Sequence, residues 1–178
     1  MKRSMTLLGA AATLALLSTT AAADSGGYVG GAAGFASYNY SDVEDSTAFS
    51  IYGGYRPRDG GLGLEVGFLD LGDADITSIS GMSLNISGFN VSATYGTVPN
   101  VASPLTIFGK LGLYSFDTEL AGAGMSASSS GLSFGVGLEY TITERLALRA
   151  ELQNFSGVED FANDEDVSLI SAGVSYAF

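Results

Sequence analysis

The sequence predicts an all-β protein: an eight-stranded antiparallel up-and-down transmembrane β-barrel preceded by a cleavable signal peptide. Three features lead to this fold. The last twelve residues, VSLISAGVSYAF, alternate apolar with small or hydroxylated positions and stop on Phe178; a two-residue period means a strand with two unlike faces. Seven more alternating segments precede it, separated by turn signals. The face opposite the apolar one holds mainly Gly, Ser, Ala and Thr with few charges, which is poor solvent-facing chemistry but suits a crowded barrel interior. The chain is therefore read inside out, with apolar residues toward lipid and small polar ones toward the lumen.

The N-terminal segment, residues 1–23, has the pattern of an export signal. Lys2 and Arg3 are followed by an apolar stretch over residues 5–17 and by Ala21-Ala22-Ala23, which places cleavage before Asp24. The apolar stretch falls short of the roughly 20 residues needed to span a bilayer. Residues 24–178 then form the barrel, 155 residues with net charge −14. No later stretch is long and apolar enough for a transmembrane helix, so membrane entry requires a closed barrel.

The strands follow in order. The first covers about 28–38 (YVGGAAGFASY), with its facing undetermined, and an acidic loop (39–46) follows it. The second, about 47–56, aligns Phe49, Ile51 and Tyr55, and Pro57-Arg58-Asp59-Gly60-Gly61 is a turn by composition. The third, about 62–71, sets Leu62, Leu64, Val66 and Phe68 opposite Gly63, Glu65 and Gly67. In the fourth, about 83–97, Phe89, Val91, Ala93 and Tyr95 alternate, while Leu84 and Ile86 are out of phase; a bulge near Ser87-Gly88, or a strand start after it, is expected.

Pro99 and Pro104 hold residues 98–104 out of a central strand. The fifth strand, about 105–116, places Ile107, Leu111 and Leu113 opposite Lys110, and residues 117–130 read as a Gly/Ser/Ala loop. The sixth, about 131–140, alternates most cleanly, with Leu132, Phe134, Val136, Leu138 and Tyr140 facing away from Glu139. The seventh, about 145–154, sets Leu146, Leu148 and Leu152 against Arg149 and Glu151; an acidic loop (157–166) leads to the closing strand.

Connections after the second, fourth and sixth strands read as short and the others as long, the pattern of short periplasmic turns and longer outer loops. The long ones hold 13 of the 19 acidic residues and no Lys or Arg, so the outer rim is expected to be anionic. Parity points Glu65, Lys110, Glu139, Arg149 and Glu151 into the lumen, where unpaired charge would be costly; an ion-pair network of net charge −1 is expected.

Composition excludes several chemistries. Without Cys there is no disulfide or thiolate metal site, and without His the usual general base is missing. The serines at 126–130 are a loop composition with no base beside them. Asp160, Asp164, Glu165 and Asp166 lack the spacing of a defined Ca²⁺ loop and read as solvated acid. No cofactor, no metal and no catalytic residue is expected, and an acidic chain without a basic footprint argues against nucleic acid.

The terminal strand, with Val174, Tyr176 and Phe178 in one phase, resembles the C-terminal assembly signal of Gram-negative outer-membrane barrels. The phrases GLEVGF (63–68), FGKLGL (108–113) and GVGLEY (135–140), with the Arg149-x-Glu151 pair, resemble the OmpA-type outer-membrane barrel domain. In that family Glu, Lys, Glu and Arg form an interior cluster, which the resemblance carries onto Glu65, Lys110, Glu139 and Arg149; Glu151 is added from parity.

The resemblance implies export through the periplasm to the cell outer membrane. It implies contact with outer-membrane lipid and lipopolysaccharide, recognition by the barrel-assembly machinery, and a monomer. The chain stops at Phe178 without the peptidoglycan-binding domain of two-domain members, so a single-domain small barrel is expected. A filled lumen under acidic loops favours a non-enzymatic structural, surface-interaction or adhesion role. The alternative is a narrow ion or small-solute channel, and the lipid A-modifying barrel enzymes are disfavoured because they use a His.

Overall fold

The computed structural model describes residues 26–38, 45–57, 60–75, 83–97, 104–121, 125–159 and 164–178. The expected signal peptide, and Asp42 and Glu44 of the acidic loop at 39–46, lie outside them. Eight strands close into one barrel in sequence order, every neighbouring pair antiparallel, and β1 closes on β8. They are β1 Gly27–Tyr38, β2 Ser46–Tyr55, β3 Gly61–Asp75, β4 Ser83–Gly96, β5 Leu105–Ala121, β6 Met125–Thr141, β7 Leu146–Glu159 and β8 Asp164–Ala177. Full closure leaves no open edge in hydrocarbon.

The apolar faces point outward. Leu62, Leu64, Val91, Tyr95, Leu111, Leu113, Leu132, Phe134, Val136 and Ile170 are all exposed, whereas Glu65, Asn90, Ser92, Thr94, Ser133, Arg149 and Ser175 are buried. On β6 the outward apolar run goes from Leu132 to Tyr140, matching the roughly 9–11 residues that cross a membrane as a strand. β1 is assigned by Phe35, which faces out, and Tyr28 and Ala36, which face in.

The band has two chemically distinct rims. Connection length does not separate the two ends as expected, since the strand bounds leave 97–104 as the longest connection and 122–124 as the shortest. At the end carrying the turns after β2, β4 and β6, every even-numbered strand closes on an outward tyrosine: Tyr55, Tyr95, Tyr140 and Tyr176. Tyrosine is enriched at that depth because its ring is apolar and its tip polar. At the other end, the outward position of each strand turns polar in a staggered ring: Ser37, Thr47, Asp70, Ser87, Ser115, Ser130, Asn154 and Ser168. Ser37 pairs in register with Ser168, Ser168 with Asn154, Asp70 with Ser87, and Ser115 with Ser130.

Several expectations need correction. β4 carries no bulge at Ser87-Gly88, because its pairing with β5 runs unbroken from Ser83↔Ala121 to Gly96↔Phe108. Ile86 is out of phase because it points inward into an apolar cluster. The register shift lies instead in β3, between Asp70 and Asp73, where Gly72 takes φ 79° and donates its N–H to Asp70 Oδ1 at 3.0 Å. A second shift separates Phe155 from Val158 in β7. Segments 117–130 and 157–166 are largely strand, not loop: their small polar residues give no hydrophobic period, yet each hairpin arm satisfies the other's backbone. The outer end is thus distinguished by strands running past the lipid band, with β5 and β6 each 17 residues long.

Candidate functional site: the filled lumen and the outer arm

From the end carrying the turns after β2, β4 and β6, the first lumen layer is Arg56 paired with Glu139 at 2.7 Å. Arg56 follows the outward Tyr55, so strand parity turns it inward, although it reads as a turn residue by sequence. Its guanidinium lies 5.6 Å from the ring centres of Tyr28 and Phe108.

The second layer is a closed ring of four charges. Lys110 contacts Glu65 at 2.8 Å and Glu151 at 2.7 Å. Arg149 Nη1 donates to Glu65 Oε2 at 2.7 Å, Nη2 donates to Glu65 Oε1 at 3.2 Å and to Glu151 Oε2 at 2.8 Å, and Nε donates to Glu151 Oε2 at 3.0 Å. The Tyr28 hydroxyl donates to Glu65 at 2.7 Å. Each cation bridges both carboxylates, so no buried charge is left alone. Tyr52 and Phe108 cover the Arg149 guanidinium at 4.4 and 4.3 Å.

Glu139 is not a member of this ring. Its Cα pairs in register with Arg149, but its carboxylate goes to Arg56 while Arg149 turns to Glu65 and Glu151. Phe108 contacts both guanidiniums and separates the two clusters. Counting Arg56, the lumen charge is zero, not the expected −1.

Above the ring, Asn90 donates to Ser133 Oγ at 2.5 Å, and Ser92 donates to Asn90 Oδ1. A cavity of about 20 Å³ touches Asn90, Gln153, Lys110 and Glu151, room for about one water.

The next layer corrects the expectation of a uniformly small and polar interior. Ala36, Ala48, Leu69, Leu71, Ile86, Tyr114, Phe116, Phe155, Val167 and Leu169 form a buried apolar cluster. Each is a chain neighbour of a residue in the outward polar ring. The polarity of the two faces therefore exchanges at this height: below it the barrel is apolar outside, above it polar outside over an apolar core. Tyr114, Phe116 and Phe155 lie with ring centres 4.7, 5.5 and 4.9 Å apart, and Phe116 and Phe155 are wholly buried.

Beyond the plug, the strands are unequal. β3–β4 pairing continues to Asp75↔Ser83, β4–β5 to Ser83↔Ala121 and β5–β6 to Leu120↔Met125. Pairing of β6 with β7 begins only at Leu132↔Ser156. A four-stranded arm, β3 to β6, thus stands above the lipid band. Among the described residues, no β7 residue pairs with residues 125–130 of β6.

The chain matches the model of the outer membrane protein beta-barrel domain over residues 7–178. It belongs to that family. It is 25% identical over 170 residues to outer membrane protein P5 of Haemophilus influenzae, covering 82% of this chain and 47% of that protein, so the chain spans about half the length of this curated relative. Among solved structures, it resembles Neisserial surface protein A with 22% identity and a TM-score of 0.66, covering 86% of this chain and 98% of that one. The N-terminal barrel domain of Pseudomonas aeruginosa OprF gives 17% identity and 0.57, with 86% and 98% covered. Ail of Yersinia pestis, solved with the heparin analogue sucrose octasulfate, gives 15% and 0.52, with 85% and 96% covered. At these identities the likeness is one of fold. This family member is a small β-barrel protein of the outer membrane.

Val174, Tyr176 and Phe178 are at the C-terminal end of β8. Val174 and Tyr176 face outward, the Tyr176 and Phe178 rings stack edge to face at 5.8 Å, and the Phe178 N–H donates to the Gly27 carbonyl at 3.0 Å. Asp164, Glu165 and Asp166 open β8, and Asp160 lies outside the described residues.

The lumen residues missed from sequence are Arg56, Tyr28, Tyr52, Phe108 and the plug. Parity on β2 could have found Arg56, since Tyr52, Gly54 and Arg56 share one phase.

Proposed function

We propose that this protein is a non-enzymatic surface-interaction or adhesion barrel that works through its outer arm. The observation that carries this reading is the edge of β6 at residues 125–130, which pairs with no β7 residue among the described residues and is held above the membrane by three hydrogen-bonded neighbours. A free strand edge is a template for an extended segment of another chain, which binds by main-chain hydrogen bonds. The filled lumen supports the same reading, since the aromatic plug and the charge ring close the axis in series.

The occupant favoured by charge is not a polyanion. Ail is known with a heparin analogue, but the outer segments of this chain contain no Lys or Arg. Lipopolysaccharide phosphates would be met through bridging divalent cations, and surface retention insensitive to EDTA would argue against that. During biogenesis the outward residues Val174, Tyr176 and Phe178 would be read by the barrel-assembly machinery. The folded protein is proposed to be a monomer.

Bacteria carrying the barrel should adhere to cultured epithelial cells better than the deletion strain. Ser128→Lys, which places a charge on the open edge, should reduce that gain. Equal adherence of carrier and deletion strains would overturn the reading. In planar bilayers the purified barrel should show no stable, ion-selective conductance; such a conductance would favour the channel.

A further inference from the structure

The rim at the turns after β2, β4 and β6 combines four outward tyrosines with an exposed cation, Arg145. Beyond the signal segment the chain has five basic residues. Lys110 and Arg149 are spent in the lumen ring, and Arg56 on Glu139. Arg58 lies in sequence between β2 and β3, and Arg145 precedes β7.

Arg145 is exposed, yet its guanidinium is placed. The turn is fixed from both sides. The Thr143 hydroxyl accepts the N–H groups of Arg145 at 3.3 Å and Leu146 at 3.0 Å, and the Arg145 carbonyl accepts the Ala177 N–H at 2.7 Å. The side chain then reaches across to β8, where Nη1 donates to the Tyr176 hydroxyl at 3.2 Å. Tyr176 pairs in register with Leu146, and Val174 with Leu148, all four outward. A cation is thereby held over a lipid-facing apolar column, at the height where headgroups begin. Donating to the Tyr176 hydroxyl raises the pKa of Arg145 above its ordinary value. Glu144 is the nearby opposing charge.

We infer that Arg145 and Tyr176 form a binding site for the phosphate of a glycerophospholipid in the periplasmic leaflet, its acyl chain lying along Leu148 and Val174. A guanidinium offers several N–H donors to phosphate oxygens, and a phenol can donate one more. Charge complementarity selects a lipid phosphate over a neutral lipid. The periplasmic leaflet is selected because the strands overshoot the lipid band only at the opposite end.

The test is native mass spectrometry of the whole barrel in octyl glucoside, titrated with dioleoylphosphatidylglycerol. Each variant is first checked for folding by unboiled gel mobility. Wild type should retain one lipid; Arg145→Gln should lower retention about fivefold, the scale of one exposed Arg near anionic lipid. Tyr176→Phe should lower it less, and it carries the test if Arg145→Gln does not fold. Arg58→Gln removes the same charge from the segment between β2 and β3 in sequence and should leave retention unchanged; an equal loss would mean diffuse charge attraction and overturn the site. Dioleoylglycerol, which lacks the phosphate, should be retained poorly by wild type. Retention equal to that of the phosphatidylglycerol would mean chain packing alone and overturn it as well.

Discussion

Arg149 on β7 and Glu65 on β3 form a two-pronged ion pair, at 2.7 and 3.2 Å, between strands that stand opposite each other in the ring of eight. The pair ties the barrel across its axis rather than along its wall. Lys110, on β5, joins Glu65 to Glu151 and completes the ring.

Removing one cation leaves two buried carboxylates to a single partner. Lys110→Met should therefore destabilise the barrel by about 3–5 kcal/mol, read from urea unfolding in lipid vesicles. Glu139→Gln, at the more open mouth, should cost less, about 1–3 kcal/mol, because the Gln amide oxygen can still accept from Arg56. Equal costs would contradict the division of the lumen charges into two clusters.

The plug makes a separate prediction. Phe116 is wholly buried against Tyr114 and Phe155, so Phe116→Ala should cost about 3–5 kcal/mol through the cavity it opens. Bilayer conductance should nevertheless stay at the background, because the charge ring below still closes the lumen. Stable channels in Phe116→Ala alone would mean that the ring is no barrier.

Glycine positions on one barrel should differ sharply in tolerance. A Cβ on Gly137 would lie 2.3 Å from Phe108 Cζ and 2.8 Å from the Ala150 carbonyl oxygen, whereas one on Gly109 would meet only the Gly135 oxygen at 3.9 Å. Phe108 cannot retreat freely, because Arg149 lies 4.3 Å from its ring centre. Gly137→Ala should cost about 1–3 kcal/mol by overpacking and Gly109→Ala should be near neutral, both measured by urea midpoint.

Phe178 lies outside the lumen and keeps its backbone bond to Gly27 whatever its side chain. Phe178→Ala should lower the yield of folded barrel in the outer membrane, while changing the stability of the folded protein by no more than about 1 kcal/mol. A stability loss that accounts for the whole yield defect would remove the assembly role.

The amino-acid sequence alone determined the number of strands, their order and which face of most strands meets lipid. Those properties follow from a local period: one residue step reverses a side chain, so Leu132, Phe134 and Val136 declare their face without any partner. Parity likewise directed Glu65, Lys110, Arg149 and Glu151 inward. The tertiary structure decided which charge meets which, because partners such as Glu65 and Arg149 are 84 residues apart and Glu139 had a closer cation in Arg56 than any motif suggests. It also decided the plug. Phe116, Phe155 and Ile86 occupy positions that parity calls interior and polarity calls exterior, and the conflict resolves only at the height where the lipid ends. The edge of β6 that is unpaired among the described residues was illegible for the same kind of reason: an edge is a neighbour's shortfall, and β6–β7 pairing begins only at Leu132↔Ser156.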